Sequence, residues 1–178
     1  MYQVYINYLN YNRYLKLQYL NSYKYSKLLN VDIFIKFKKN IFNNKLLIIC
    51  IFFLFKNILL KNGFLIILNK KNKKILGYKF KLKKNLMFNF LNFLINIFLN
   101  KSEIQNLIKI TSFDSKNNFN ITFSNEYNYY FEKYIQNPFF KDTLNMFTVT
   151  CIFHFSKTFN IYNNIFYLNL FRFYFNNK

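Results

Sequence analysis

Period-two alternation over two short stretches constrains this chain more than any other feature. Val31 to Lys38 reads VDIFIKFK, and Tyr78 to Lys83 reads YKFKLK. A period of two puts Val31, Ile33, Ile35 and Phe37 on one side of a strand, and Asp32, Lys36 and Lys38 on the other. In the second stretch Tyr78, Phe80 and Leu82 oppose Lys79, Lys81 and Lys83. Such strands need a cover on the apolar side and can meet solvent or phosphate on the basic side, which an antiparallel sheet with helices packed on one face provides.

Two segments offer the cover. Leu46 to Phe55, LLIICIFFLF, is wholly apolar but bounded by Lys45 and Lys56. It falls well short of the roughly 20 apolar residues that a spanning helix needs, so a buried helix from about Asn44 to Lys61 is expected. Leu86 to Leu99, LMFNFLNFLINIFL, carries Asn89, Asn92 and Asn96 at helical spacing, which draws one polar stripe down an apolar helix. Neither is expected to span a membrane. A further helix is expected over Arg13 to Leu29.

Between these lies a hairpin. Gly63 opens a turn into Phe64 to Leu68, the run NKKNKK from Asn69 to Lys74 forms a short basic loop, and Ile75 to Lys83 leads away as a strand. Farther on, Ser112 to Asn118 reads as a loop entering a strand in which Phe119, Ile121 and Phe123 alternate with Asn120, Thr122 and Ser124. Met146 to Phe155 predicts another strand, and Asn160 to Phe171 a last helix. The fold class is therefore α+β. At 178 residues the chain suits one domain: residues 1–30 as an N-terminal helical extension and 31–178 as the α+β core.

Charge narrows the partners. Lys and Arg number 26 against 6 acidic residues, a formal net charge of +20, and a field of that strength on a small chain seeks polyanions. Part of this bias has no function, because Lys, Asn, Ile, Phe and Tyr are the residues that AT-rich coding favours. Together with 2 Gly, 1 Pro and no Trp, that alphabet suggests a compact organellar genome and a protein made where it works. Met1 to Leu20 has neither an uninterrupted apolar core with a small-residue cleavage site nor an Arg/Ser-rich character.

Chemistry-bearing residues are sparse. Cys50 and Cys151 form no CxxC pair, so both are expected as apolar fillers rather than metal ligands or a disulfide. His154, the one histidine, shares a strand face with Thr148, Thr150 and Ile152 and has no evident carboxylate partner in sequence. Asp114 is expected to cap its own turn rather than act with Glu126 as an acid–base pair. Gly63 and Gly77 are the only glycines, and neither sits in a phosphate-loop context. The reading contains no catalytic residue, metal, cofactor or small-molecule substrate.

Three ordered motifs carry a resemblance: GYKFKL at Gly77 to Leu82, MFNFLNFLINI at Met87 to Ile97 and SFDSKNNF at Ser112 to Phe119. They resemble the universal large-subunit ribosomal protein family number five, the bacterial-type 5S rRNA-binding protein. There the pattern is a Gly-Cys-Lys-Val-Thr-Leu strand, a Met-aromatic-x-Phe helix and a Ser-Phe-Asp-Gly-Arg-Gly-Asn-Tyr turn. VDIFIKF, FTVT at Phe147 to Thr150 and the terminal FRFYF resemble further family segments. Ser115 and Asn117 stand where the family has glycines, and of its Phe-Pro-Glu signature only Phe131-Glu132 remains.

The resemblance implies a structural constituent of the large subunit of a mitochondrial ribosome. It would sit at the central protuberance, bind large-subunit rRNA and, where present, 5S rRNA, and touch neighbouring mitoribosomal proteins. The segment between Gly63 and Gly77 is shorter than in the family, which implies a reduced contact with P-site tRNA. The candidate RNA-binding residues are Lys36, Lys38, Lys39, Lys70, Lys71, Lys73, Lys74, Lys79, Lys81, Lys83, Lys116, Asn117 and Asn118. The competing reading is a small membrane-associated organellar subunit.

Overall fold

The computed structural model describes residues 27–38, 44–67, 75–96, 112–124, 127–129, 145–156 and 161–169, with Phe171, Phe173 and Phe175. These form five strands and three helices. In chain order they are β1 (Leu28–Phe37), α1 (Lys45–Leu59), β2 (Phe64–Ile67), β3 (Ile75–Leu82), α2 (Lys84–Leu94), β4 (Phe119–Phe123), β5 (Phe147–Phe155) and α3 (Ile161–Asn169). The strands make one antiparallel sheet in the order β2-β3-β1-β5-β4. This is the α+β class the alternation predicts.

Register decides what each face carries. Ile33 lies opposite Phe80 on one side and Cys151 on the other, and Cys151 in turn lies opposite Ile121. All four are buried. The same holds one pleat away for Leu82, Val31, Phe153 and Phe119. One continuous apolar face results, and it packs against Ile48, Ile51, Leu54 and Phe55 of α1 and Met87, Phe90, Leu91 and Leu94 of α2 in a single cluster.

Aromatic edges hold this layer. Phe55 meets Phe147 edge-on at 5.4 Å, and Phe153 meets Phe173 at 5.6 Å. Each fully buried Phe is worth about 1.5–3 kcal/mol of transfer free energy. Cys151 is a filler in this layer, its thiol pushed up in pKa by burial; Cys50 is only half-buried. Tyr78, buried beneath α1, donates its hydroxyl to the Ile48 carbonyl at 3.2 Å, and burial raises its pKa.

Helix boundaries follow local chemistry. Asn44 caps α1, its side-chain oxygen accepting from the Leu47 amide at 3.3 Å, close to the expected start. Asn89, Asn92 and Asn96 lie exposed along and just past α2, the polar stripe that their spacing predicts. Gly77 is a close-approach position: a Cβ there would stand 1.8 Å from the Ile35 carbonyl oxygen on the neighbouring strand. Only a residue without a side chain admits that backbone contact.

One expectation needs correction. The N-terminal helix was expected to reach Leu29, but Leu28 and Leu29 already belong to β1. Leu28 pairs with Phe155 and is buried, while Lys27 and Ser156 exchange hydrogen bonds just beyond, so sheet pairing overrides helical propensity there. The rest of that segment, to residue 26, lies outside the described residues.

Candidate nucleic-acid interface

The second face of the sheet is not the one that α1 and α2 cover, and most of its residues are polar, with Phe34, Phe64 and Ile152 among them. Across the centre run Lys81, Asp32, Ile152 and Asn120, and one pleat along run Lys79, Phe34, Thr150 and Thr122. Lys36 and Thr148 form the next row. Alternation thus delivers Lys36, Lys79 and Lys81 to one surface. Lys83 follows the end of β3, exposed, at the cap position of α2, and Lys38 is exposed just after β1.

Asp32 organises the middle of this face. Its side chain is only 5% exposed, and Lys79 Nζ stands 2.8 Å from Oδ2. Asn30 Nδ2 donates to Oδ1 at 3.1 Å. His154 Nε2 lies 3.4 Å from Oδ2, within ion-pair reach but not aligned for a hydrogen bond. The Lys79 ammonium also sits 4.7 Å from the centre of the Phe34 ring. Lys79 is therefore engaged twice within the protein. Lys36, Lys81 and Lys116 have no ion-pair partner among the described residues.

The loop before β4 closes one end of the face. Asp114 Oδ1 accepts from the backbone amides of Lys116 at 2.9 Å and Asn118 at 2.8 Å, and Oδ2 accepts from Asn118 Nδ2 at 3.0 Å. Partial burial pushes this carboxyl up, but hydrogen bonds from Asn118 and Lys116 and the nearby His154 outweigh it, and the net shift is downward. Asn117 takes the left-handed conformation, φ 59°, where the resembling family has glycine; Asn is the side chain that tolerates it best. Asn164 of α3 anchors the turn by donating to the Asn117 carbonyl at 2.7 Å.

Between this turn and the sheet lies a cleft of about 820 Å³. Asn30, Asp32, Lys81, Lys116, Asn118 and His154 are among its lining residues. Of the thirteen sequence candidates, the structure brings Lys81, Lys116, Asn117 and Asn118 to this one place and puts Lys36 and Lys79 on the same sheet face. Lys39, Lys70, Lys71, Lys73 and Lys74 lie outside the described residues.

Sequence reasoning missed the contact between His154 and Asp32. His154 does have a carboxylate neighbour, supplied by β1 because the register sets Asn30 opposite His154 and Asp32 opposite Ile152. The available signal was that both residues occupy the non-core phase of their strands; what was missing was the adjacency of β1 and β5. Ser115 also borders the cleft, so the residue types of a hydrolytic triad share one space. No hydrogen bond joins Ser115 to His154 among the described residues, so the nucleophile–base contact is not formed. Nor do three or more His, Cys, Asp or Glu side chains gather as a metal site among them.

No protein-family model matches the chain, and no curated protein matches it.

Proposed function

We propose that this chain is a non-enzymatic RNA-binding constituent of the large subunit of a mitochondrial ribosome, acting through rRNA at the central protuberance. The observation that carries the reading is the asymmetric sheet, with α1, α2 and the buried core on one face and Lys36, Lys79 and Lys81 with threonines and asparagines on the other. A face that carries Lys36, Lys79 and Lys81, beside the turn that carries Lys116, suits a phosphate backbone, which is bound by neutralisation and counterion release. The net charge of +20 supplies the long-range attraction.

The resembling motifs add support by their placement. GYKFKL lies within β3, the MFNF stretch lies within α2, and SFDSKNNF forms the Asp114 turn and enters β4. The segments that resemble the ribosomal family are thus a strand of the sheet, a helix on its covered face and the turn that enters β4. 5S rRNA, P-site tRNA and neighbouring mitoribosomal proteins are proposed partners on the resemblance alone.

The test is sucrose-gradient sedimentation of detergent-solubilised mitochondria, following this chain by mass spectrometry with and without ribonuclease. Migration with the large subunit, lost on digestion, is the expected outcome. Migration in a lighter, nuclease-resistant complex overturns the reading.

A second reading has one observation in its favour. Leu46, Ile49 and Phe53 recur at helical spacing on the outer side of α1, and Leu46, together with Leu60 just past the helix end, is more than 70% exposed (75% and 71%). Such a stripe suits a membrane surface as well as a neighbouring protein. No helix among the described residues is long and apolar enough to cross a membrane. Retention of the chain on membranes after a high-salt wash and nuclease would favour this alternative.

A further inference from the structure

The cleft between the Asp114 turn and the sheet is larger than one phosphate needs. At about 820 Å³ it falls in the range of pockets that enclose a whole small molecule, and its lining chemistry is mixed. Lys81 of β3 and Lys116 of the turn both line it. The one carboxylate on the sheet side, Asp32, is recessed and already paired with Lys79. The cleft therefore offers a surplus of positive charge to an incoming anion.

Its amides are oriented by their internal partners. Asn30 spends its Nδ2 on Asp32, and Asn118 spends its Nδ2 on Asp114. Each keeps its carbonyl oxygen and a second Nδ2 hydrogen, an acceptor and a donor suited to a base edge. His154, 31% exposed and held beside Asp32, adds a flat ring at the same place. Cations for a phosphate, acceptors for a base edge and a ring for its face are the three requirements of a single unpaired nucleotide.

Resting on the RNA-binding reading, we propose that this cleft captures one nucleotide extruded from an RNA helix. Its phosphate is held by Lys81 and Lys116, its base lies against His154, and the base edge donates to Asn30 and Asn118. The rest of the open face, including Lys36, then follows the flanking backbone without reading sequence. The cleft thus selects RNA that carries a bulge over continuous duplex.

The experiment measures binding of the full chain to two hairpin RNAs that differ only by one bulged nucleotide, by fluorescence anisotropy at fixed salt. The wild type is expected to favour the bulged hairpin by about tenfold, the order of one base–ring stacking contact. Lys116→Gln and His154→Ala each abolish the preference, and His154→Phe, which keeps a ring, restores most of it. Lys36→Gln weakens both hairpins equally. Circular dichroism and thermal unfolding establish that each variant is folded. Equal binding of the two hairpins by the wild type, or a preference that survives both Lys116→Gln and His154→Ala, overturns the cleft assignment and leaves RNA binding standing. Failure to bind either hairpin overturns both.

Discussion

Phe153 and His154 are neighbours on β5, yet Phe153 is fully buried beneath the helices while His154 lines a solvent-facing cleft. The contrast runs through the whole sheet. On the helix side, contacts are apolar, close and interchangeable in kind: Phe on Phe, Ile on Leu. On the open side polar groups are joined one to one, as in Asp32 with Lys79 and Asn30, or Thr122 with Thr150 at 3.1 Å, while Lys36 and Lys81 have no ion-pair partner among the described residues. The first face supplies stability through area removed from water; the second supplies charge placed at fixed positions.

The sharpest way to break that comparison is to truncate one residue on each face. Phe153→Ala should destabilise by about 3–5 kcal/mol, as large-to-small changes in a packed core do, while Thr150→Ala should cost about 1 kcal/mol or less. Urea unfolding of both variants measures the difference. Similar midpoints would mean that the faces do not divide the labour as described.

Gly77→Ala tests the contact between strands rather than between layers. The added Cβ would stand against the Ile35 carbonyl oxygen, so β3 must shift relative to β1. A loss of about 1–3 kcal/mol is expected, in the range of overpacked sites. An unchanged melting temperature would show that β3 can move freely.

On the open face, Asp32→Ala removes the partner of a half-exposed lysine. Breaking a fully buried pair costs about 3–5 kcal/mol, but Lys79 is 36% exposed and can turn to water, so about 1–2 kcal/mol is expected. The released ammonium should also tighten RNA binding and steepen its salt dependence. Weaker binding in this variant would mean that Asp32 is needed to hold the face in shape.

A smaller effect belongs to the Asp114 turn, and it has a pH signature. Its carboxyl is held below the usual range in the folded state, so its contribution is present above the unfolded carboxylate pKa and is lost as pH falls through the lower folded value. Asp114→Asn should therefore be less stable than wild type at pH 7, and the gap should close in acid below about pH 4, where the carboxylate titrates. A gap that persists at low pH would assign the loss to geometry rather than charge. Last, Lys36→Gln should leave stability unchanged and lower the salt slope of RNA binding by about 0.7–0.9, the value for one phosphate contact.

Much of this molecule was legible before its structure. The phases of VDIFIKFK and YKFKLK separate core from open face residue by residue, and the apolar run after Asn44 marks α1. Asp114 capping its own turn follows from local chemistry alone, since all its hydrogen bonds reach residues within four positions. The end of the N-terminal segment was misread because Leu28 and Leu29 suit a helix locally, and only pairing with β5 makes them strand.

The sequence by itself determined period, charge and turn chemistry, because these depend on neighbours a few residues apart. Tertiary structure decided which strands lie side by side. The order β2-β3-β1-β5-β4 brings Asp32 next to both Lys81 and His154, residues 49 and 122 positions away along the chain. No periodicity contains that adjacency, since it arises when helices cover one face of the whole sheet and every strand must align its apolar phase with the others. The cleft, lined by Lys81 of β3 and Lys116 of the turn, exists only once that alignment is complete.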